Sequence, residues 1–216
     1  MKYKGVLFDC DGTLVDTLGD ISASMNTAHE KRGFPPLPPE EYASKVGWGI
    51  KRLAFLCLPE ASRTEALAAE LAAEAAAQYH ENPLVYTRPY PGIEDLLAAL
   101  KQRKIKTAVL TNKPDSVARL VISGLFPKAF FDVIQGEVKG QPRKPAPACA
   151  WDIIERLGLV PGEVIFAGDS EIDIETGLNA ECLPVGVSWG YRSREIIEKA
   201  GARFIVNKPE EILELL

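Results

Sequence analysis

The sequence predicts an α/β fold: a doubly wound parallel sheet interrupted by one inserted helical unit. Three observations predict it. Short apolar runs recur at 5–8, 107–110, 164–167, 185–187 and 204–206, with a further candidate at 131–135. They are continuous rather than alternating, which suits strands buried on both faces. Helical stretches separate them, as a parallel sheet requires. Residues 16–87 alone break the rhythm, with no run that reads as a buried strand.

The first strand is "GVLF" (5–8), which runs straight into "DCDGT" (9–13). The insertion starts almost at once, so the expected division is an α/β core of residues 1–15 and 88–216 and a helical insertion of residues 16–87. Within the insertion, "FPPLPPEE" (34–41) is a proline-rich break. "SRTE" (62–65) reads as a capping box, with Ser62 as the N-cap and Glu65 reaching back to it. The Ala/Glu-rich run that follows, to about residue 81, has high helix propensity and can gather Leu67, Leu71, Ala75 and Tyr79 into one stripe. The core resumes with "PGIEDLLAALKQR", where Ile93, Leu96, Leu97 and Leu100 fall on one helix face. Strands at "TAVL", "FDVIQ", "VIFA", "VGV" and "FIV" then complete the sheet, with helices at 146–157, 171–180 and 192–200.

A chain of 216 residues is long enough for such a core plus a small insertion. A net charge of −5 argues against a nucleic-acid surface and leaves room for a local positive pocket that takes a small anion. The four cysteines, at 10, 57, 149 and 182, form no C-x-x-C pair, so a structural zinc or redox motif is not expected. No apolar run reaches the roughly 18 residues of a membrane span, and no signal peptide is visible. Reduced thiols in a cytoplasmic enzyme, monomeric or homodimeric, are the expectation.

Ligands of open α/β sheets bind beyond the carboxyl ends of the strands. Polar clusters follow three of the runs: Asp9-Cys10-Asp11-Gly12-Thr13, Thr111-Asn112-Lys113, and Gly168-Asp169-Ser170 with Asp173. Lys144, in "RKPAP", stands ahead of the helix that leads into the third. Each residue has an ordinary alternative. Asp169 or Ser170 can N-cap a helix, Thr111 can be a turn hydroxyl, and Lys144 a solvated charge. Their coincidence at strand ends favours a shared site. Several carboxylates in one small volume repel each other unless a hard cation joins them, and magnesium is the natural partner. A Thr111 hydroxyl, backbone N–H groups near Gly12 and Asn112, and the Lys144 ammonium would form an anion cradle suited to phosphoryl transfer.

The motifs resemble those of the haloacid dehalogenase-like phosphohydrolases: "DCDGTLVDT", then "TNK" at 111–113, "KPAP" at 144–147 and "GDSEID" at 168–173. The resemblance spans essentially the whole chain. It implies a Rossmann-like core with a helical cap closing over the site. Residue by residue, it implies that Asp9 is a nucleophile forming an aspartyl-phosphate and that Asp11 is the general acid and then base. It implies that Asp9, Asp11 (through its backbone carbonyl) and Asp169 hold Mg2+, with Asp173 as a supporting acid. Thr111 and Asn112 would grip the phosphate, and Lys144 would pair with Asp9. "KVGWGIKRLAFLCLPE" (45–60) resembles the cap loop of the phosphoglycolate phosphatases within that family. It suggests Lys45, Lys51 or Arg52 as a partner for a substrate carboxylate and Trp48 as a closing residue. The expected partner is a small phosphate ester, most simply 2-phosphoglycolate. Pyrophosphate, sugar phosphates and nucleotides are alternatives, as are a sugar-phosphate mutase and, outside enzymes, a phospho-receiver signalling domain. Cys10 alternates with Asp9 and Asp11 along an extended strand, so it points away from them and packs as a small hydrophobe.

Overall fold

The computed structural model describes residues 2–216. In chain order its strands are β1 (Gly5–Phe8), β2 (Val15–Asp16), β3 (Arg88–Pro89), β4 (Lys106–Pro114), β5 (Val133–Glu137), β6 (Val164–Gly168), β7 (Leu183–Val187) and β8 (Phe204–Val206). Six of them form one sheet in the order β5-β4-β1-β6-β7-β8, parallel throughout. β1 is central, and all four of its residues are buried, which explains its unbroken apolar run. The chain steps outward from β1 through β4 and β5, then crosses to β6 on the other side. The carboxyl end of β1 therefore lies at the switch point where such sheets bind ligands.

The core helices are α5 (Ile93–Gln102), α6 (Asp115–Leu125), α7 (Ala148–Arg156), α8 (Glu171–Asn179) and α9 (Arg194–Lys199), after four in the cap. α5 buries Ile93, Leu96, Leu97 and Leu100, the face its spacing predicts. Burying four such side chains stabilises this one packing by roughly 6–12 kcal/mol before chain entropy is subtracted.

The cap consists of α1 (Leu18–Glu30), α2 (Pro39–Ala43), α3 (Ile50–Cys57) and α4 (Glu65–Glu81). α1 and α3 both pack on α4. Leu71, Ala75 and Tyr79 are buried along α4, with Leu67 half-buried at its start. The start of α4 departs from expectation. Thr64, not Ser62, is the N-cap: its extended backbone ends the preceding turn, and its Oγ1 accepts from the Leu67 N–H at 3.2 Å. Ser62 closes a short 3-10 turn at Glu60–Ser62, and Glu65 pairs with Lys51 at 2.7 Å instead of reaching back. The box fails because the helix begins two residues later, which puts Leu67 rather than an acid three places after the cap.

β2 and β3 carry the chain out to the cap and back, pairing antiparallel as Val15↔Pro89 and Asp16↔Arg88. Asp20 at the start of α1 is buried, and its carboxylate accepts from the N–H groups of Tyr86 and Thr87 and from the Thr87 hydroxyl. Three donors on one buried carboxylate tie the start of α1 to the segment that leads into β3. Among the described residues, no helix is long and apolar enough to cross a membrane.

Candidate active site

The loop after β1 is a tight turn around one carbonyl. The N–H groups of Thr13, Leu14 and Val15 converge on the Cys10 oxygen, and the Gly12 N–H donates to Val15 O at 2.9 Å. Gly12 has φ 81°, and a Cβ there would lie 2.3 Å from the Asp169 carboxylate, so no other residue fits. The turn leaves Asp9 at the floor of the site, 6% exposed. Cys10 is fully buried in the core cluster. Burial first, and then the Asp11 charge, push its thiol well above its ordinary range, so it is no nucleophile.

Lys144 is buried between two acids. Its Nζ lies 2.8 Å from Asp9 Oδ1 and 2.6 Å from Asp173 Oδ1. Burial opposes its charge, but Asp173 and Asp9 outweigh that and hold the ammonium above its usual value. Asp173 is fully committed: its Oδ2 accepts from the Ser170 N–H at 3.0 Å and the Ser170 hydroxyl at 2.6 Å, fixing the start of α8. Asp169 accepts from Thr13 Oγ1 at 3.1 Å and the Tyr191 N–H at 2.8 Å.

Asp9, Asp169 and Asp173 each offer a carboxylate oxygen within 4.8 Å of the others. Burial, then the neighbouring Asp173 charge, raise the carboxyls of both Asp9 and Asp169. Asp9 Oδ1 makes an ion-pair contact with Lys144 but no hydrogen bond. Three buried acids around one ammonium are an incomplete charge balance. A hard divalent cation fits that donor set.

Asp11 points elsewhere. Its carboxylate is bidentate to Lys113 Nζ, at 2.7 and 3.0 Å, and accepts from Thr17 Oγ1 at 2.7 Å. The Lys113 ammonium is 2% exposed and lies 4.4 Å from the Tyr79 ring centroid. Thr111 is buried beside this pair, its hydroxyl taking the Lys113 N–H at 3.2 Å. The Asn112 side chain is engaged by backbone: it donates to Gly47 O and Lys144 O and accepts from the Lys144 N–H. It secures the Lys144 loop and the loop at Gly47.

A cavity of about 60 Å³ lies between core and cap. Asp9, Asp11, Thr111, Asn112 and Lys113 form its core side; Met25, Val46, Ile50, Leu53, Ala75 and Tyr79 lie across it. The expected cap residues do not line it. Trp48 is half-buried beside it, between the lining glycines 47 and 49. Arg52 is exposed and stacks 5.2 Å from the Phe55 ring. Lys45 donates to Glu41 O at 2.6 Å, and Lys51 pairs with Glu65.

Two residues outside the expected set matter here. Lys113 stood in "TNK" and shares a strand face with Thr111 by the two-residue period, a signal present in the sequence. Arg192, buried, donates to Ala43 O at 2.5 Å and Val46 O at 2.6 Å and holds the cap loop down. Its partners lie about 150 residues away, and no local pattern marks it.

The pattern of the family described as "Haloacid dehalogenase-like hydrolase" matches residues 6–187. The chain belongs to that family. A phosphoglycolate phosphatase of Neisseria meningitidis is 34% identical, covering 99% of this chain and 93% of its own. One of Aquifex aeolicus is 30% identical over 98% and 95%. An N-acetylmuramic acid 6-phosphate phosphatase of Pseudomonas aeruginosa is 31% identical over 100% and 96%. A crystal structure from Lactobacillus delbrueckii subsp. bulgaricus superposes with TM-score 0.92 at 32% identity, covering 100% of this chain and 98% of that one. The similarity to these proteins thus extends over essentially the full length of the chain.

Proposed function

We propose that this chain is a magnesium-dependent phosphatase that hydrolyses a small phosphomonoester, with 2-phosphoglycolate as the favoured substrate. The supporting observation is Asp9: a buried carboxylate lining the cavity, with the Lys144 ammonium 2.8 Å from its Oδ1. Asp9 attacks phosphorus, forming an acyl-phosphate as the bond to the leaving oxygen breaks. Asp11 gives the leaving oxygen its proton, then takes one from the water that opens the intermediate. Lys144 fixes the Asp9 rotamer and neutralises charge gathering on the phosphate. The backbone N–H groups near Gly12 and Asn112 and the Thr111 hydroxyl hold its oxygens. Asp9, Asp169 and the Asp11 carbonyl would hold Mg2+, which supplies charge neutralisation and in-line alignment. Asp173 acts through Lys144 as the supporting acid.

The cap side of the cavity is largely hydrocarbon, which favours a small leaving group over a polyhydroxylated one. The four buried free thiols are in keeping with a cytoplasmic setting. The test is a turnover panel of phosphoglycolate, N-acetylmuramic acid 6-phosphate, pyrophosphate, sugar phosphates and nucleotides, each with Mg2+ and with chelator. Phosphoglycolate should lead, and Asp9→Asn should lower its kcat by at least about 10⁴ while keeping the melting transition. Near-normal turnover in that variant would remove Asp9 as the nucleophile.

A further inference from the structure

The cap wall of the cavity carries few polar groups: Ser24 lines it, but its hydroxyl already donates to Asp20 O. Met25 from α1, Ile50 and Leu53 from α3, and Ala75 from α4 present hydrocarbon. A leaving group rich in hydroxyls would find few partners there and would lose its water without compensation. Two features break the pattern. Lys113 is the one cation among the described lining residues. Against it lies Tyr79, only 4% exposed, with its ring centroid 4.4 Å from the Lys113 ammonium and its hydroxyl without a hydrogen-bond partner. An orphan buried hydroxyl on a cavity wall is a vacant donor.

We propose that Lys113 and the Tyr79 hydroxyl together seat a second anionic group of the substrate, a carboxylate on the leaving group, and that filling this seat releases Asp11 toward the leaving oxygen. The inference rests on the phosphatase reading above and names what that site selects. The ammonium has three donors, of which Asp11 takes two. With Thr17 as a third partner, Asp11 is held against the wall in the free enzyme. In a two-carbon phosphorylated acid one methylene separates the ester oxygen from the carboxylate. A molecule that meets Asp11 at its ester oxygen therefore meets Lys113 at its other end. The incoming carboxylate replaces one buried charge-assisted pair with another, so the exchange leaves no ammonium unpaired. Asp11 is then free to turn. The seat has one half on the core, in β4, and one half on the cap, in α4, so it is complete only with the cap closed. An ester without the second anion leaves Asp11 bound to Lys113. Its penalty falls on kcat as well as on KM.

The experiment compares 2-phosphoglycolate with 2-hydroxyethyl phosphate, which keeps the two-carbon leaving group and lacks the carboxylate. In the unaltered enzyme with Mg2+, kcat/KM should favour phosphoglycolate by at least about 100-fold, partly through kcat, because the site's buried polar groups go unpaired with the other ester. Lys113→Met should bring that ratio to within about threefold of unity. Tyr79→Phe, which removes one oxygen and leaves the packing, should lower it by about tenfold. If both esters lose activity by one common factor in each variant, Lys113 and Tyr79 are structural and the proposal falls. A ratio near unity in the unaltered enzyme also sinks it, while the phosphatase reading survives. If neither ester nor any member of the panel is hydrolysed, the phosphatase reading itself fails. Should Lys113→Met lose its melting transition, the Tyr79→Phe ratio alone decides.

Discussion

The core and the cap meet at one cavity and face it with opposite chemistry. The core wall is Asp9, Asp11 and Lys113, backed by Lys144, Asp169 and Asp173, and nearly every charge there has a partner within about 3 Å. The cap wall is largely hydrocarbon. The two halves are joined differently as well. Arg192 and Asn112 reach from the core to the carbonyls of Ala43, Val46 and Gly47, so on the cap side these tethers grip backbone. Groups that must sit at fixed distances are built on strand ends, where register holds them. The surface that sets shape is built on helices and docked through main-chain atoms, so cap side chains can change without undoing the closure.

The sharpest way to break this contrast is to remove the core's central ammonium. Lys144→Met leaves Asp9 and Asp173 buried without compensation. Stability should fall by about 3–5 kcal/mol in denaturant melts, and kcat by at least about 10³. Full activity at unchanged stability would mean that the paired charges of the core wall are incidental.

A smaller effect comes from pH. Burial, then Asp173, lift the Asp9 carboxyl from 3.8 to about 7 and the Asp169 carboxyl from 3.8 to about 8. Both values are raised in the folded state, so the folded chain holds protons that the unfolded chain releases above about 4. The stability tied to them is intact below about 4 and declines as pH rises, the last of it being lost through 7 to 8. Without divalent cation, the melting temperature at pH 8.5 should lie on the order of 3–6 °C below that at pH 5.5. Mg2+ should recover most of the difference at pH 8.5 and little at pH 5.5. Asp169→Asn should flatten the metal-free profile. A flat profile in the unaltered protein would place these acids in a less crowded setting.

The smallest effect belongs to the cap exterior. Arg52→Ala removes an exposed guanidinium stacked on Phe55. It should leave kcat/KM within about twofold, as surface substitutions generally do. A tenfold loss would move substrate recognition out of the apolar wall.

Much of this was legible in the sequence. β1 and β8 fall on "GVLF" and "FIV", because an unbroken apolar run in a parallel sheet is bounded sharply by the polar groups at its ends. Asp9, Asp169 and Asp173 could be singled out because each stands just past a strand or opens a helix, and Lys144 because its "KPAP" loop leads into one. β2 and β3 could not, since two residues carry no periodicity. The start of α4 was misplaced because Ser62 and Thr64 have equal chemistry as caps, and only the preceding turn decides between them. Charge alone offered Lys45, Lys51 and Arg52 as contacts for the substrate. Their neighbours Glu41, Glu65 and Phe55 claim them first.

By itself, then, the sequence determined the sheet, the insertion and the roster of acids, because these follow from local pattern and strand-end position. The tertiary structure decided which lysine meets which acid. Lys144 takes Asp9 and Asp173 while Lys113 takes Asp11, each pair bridging segments 29 to 135 residues apart. Such pairings depend on sheet order and side-chain reach, and one-dimensional spacing carries neither.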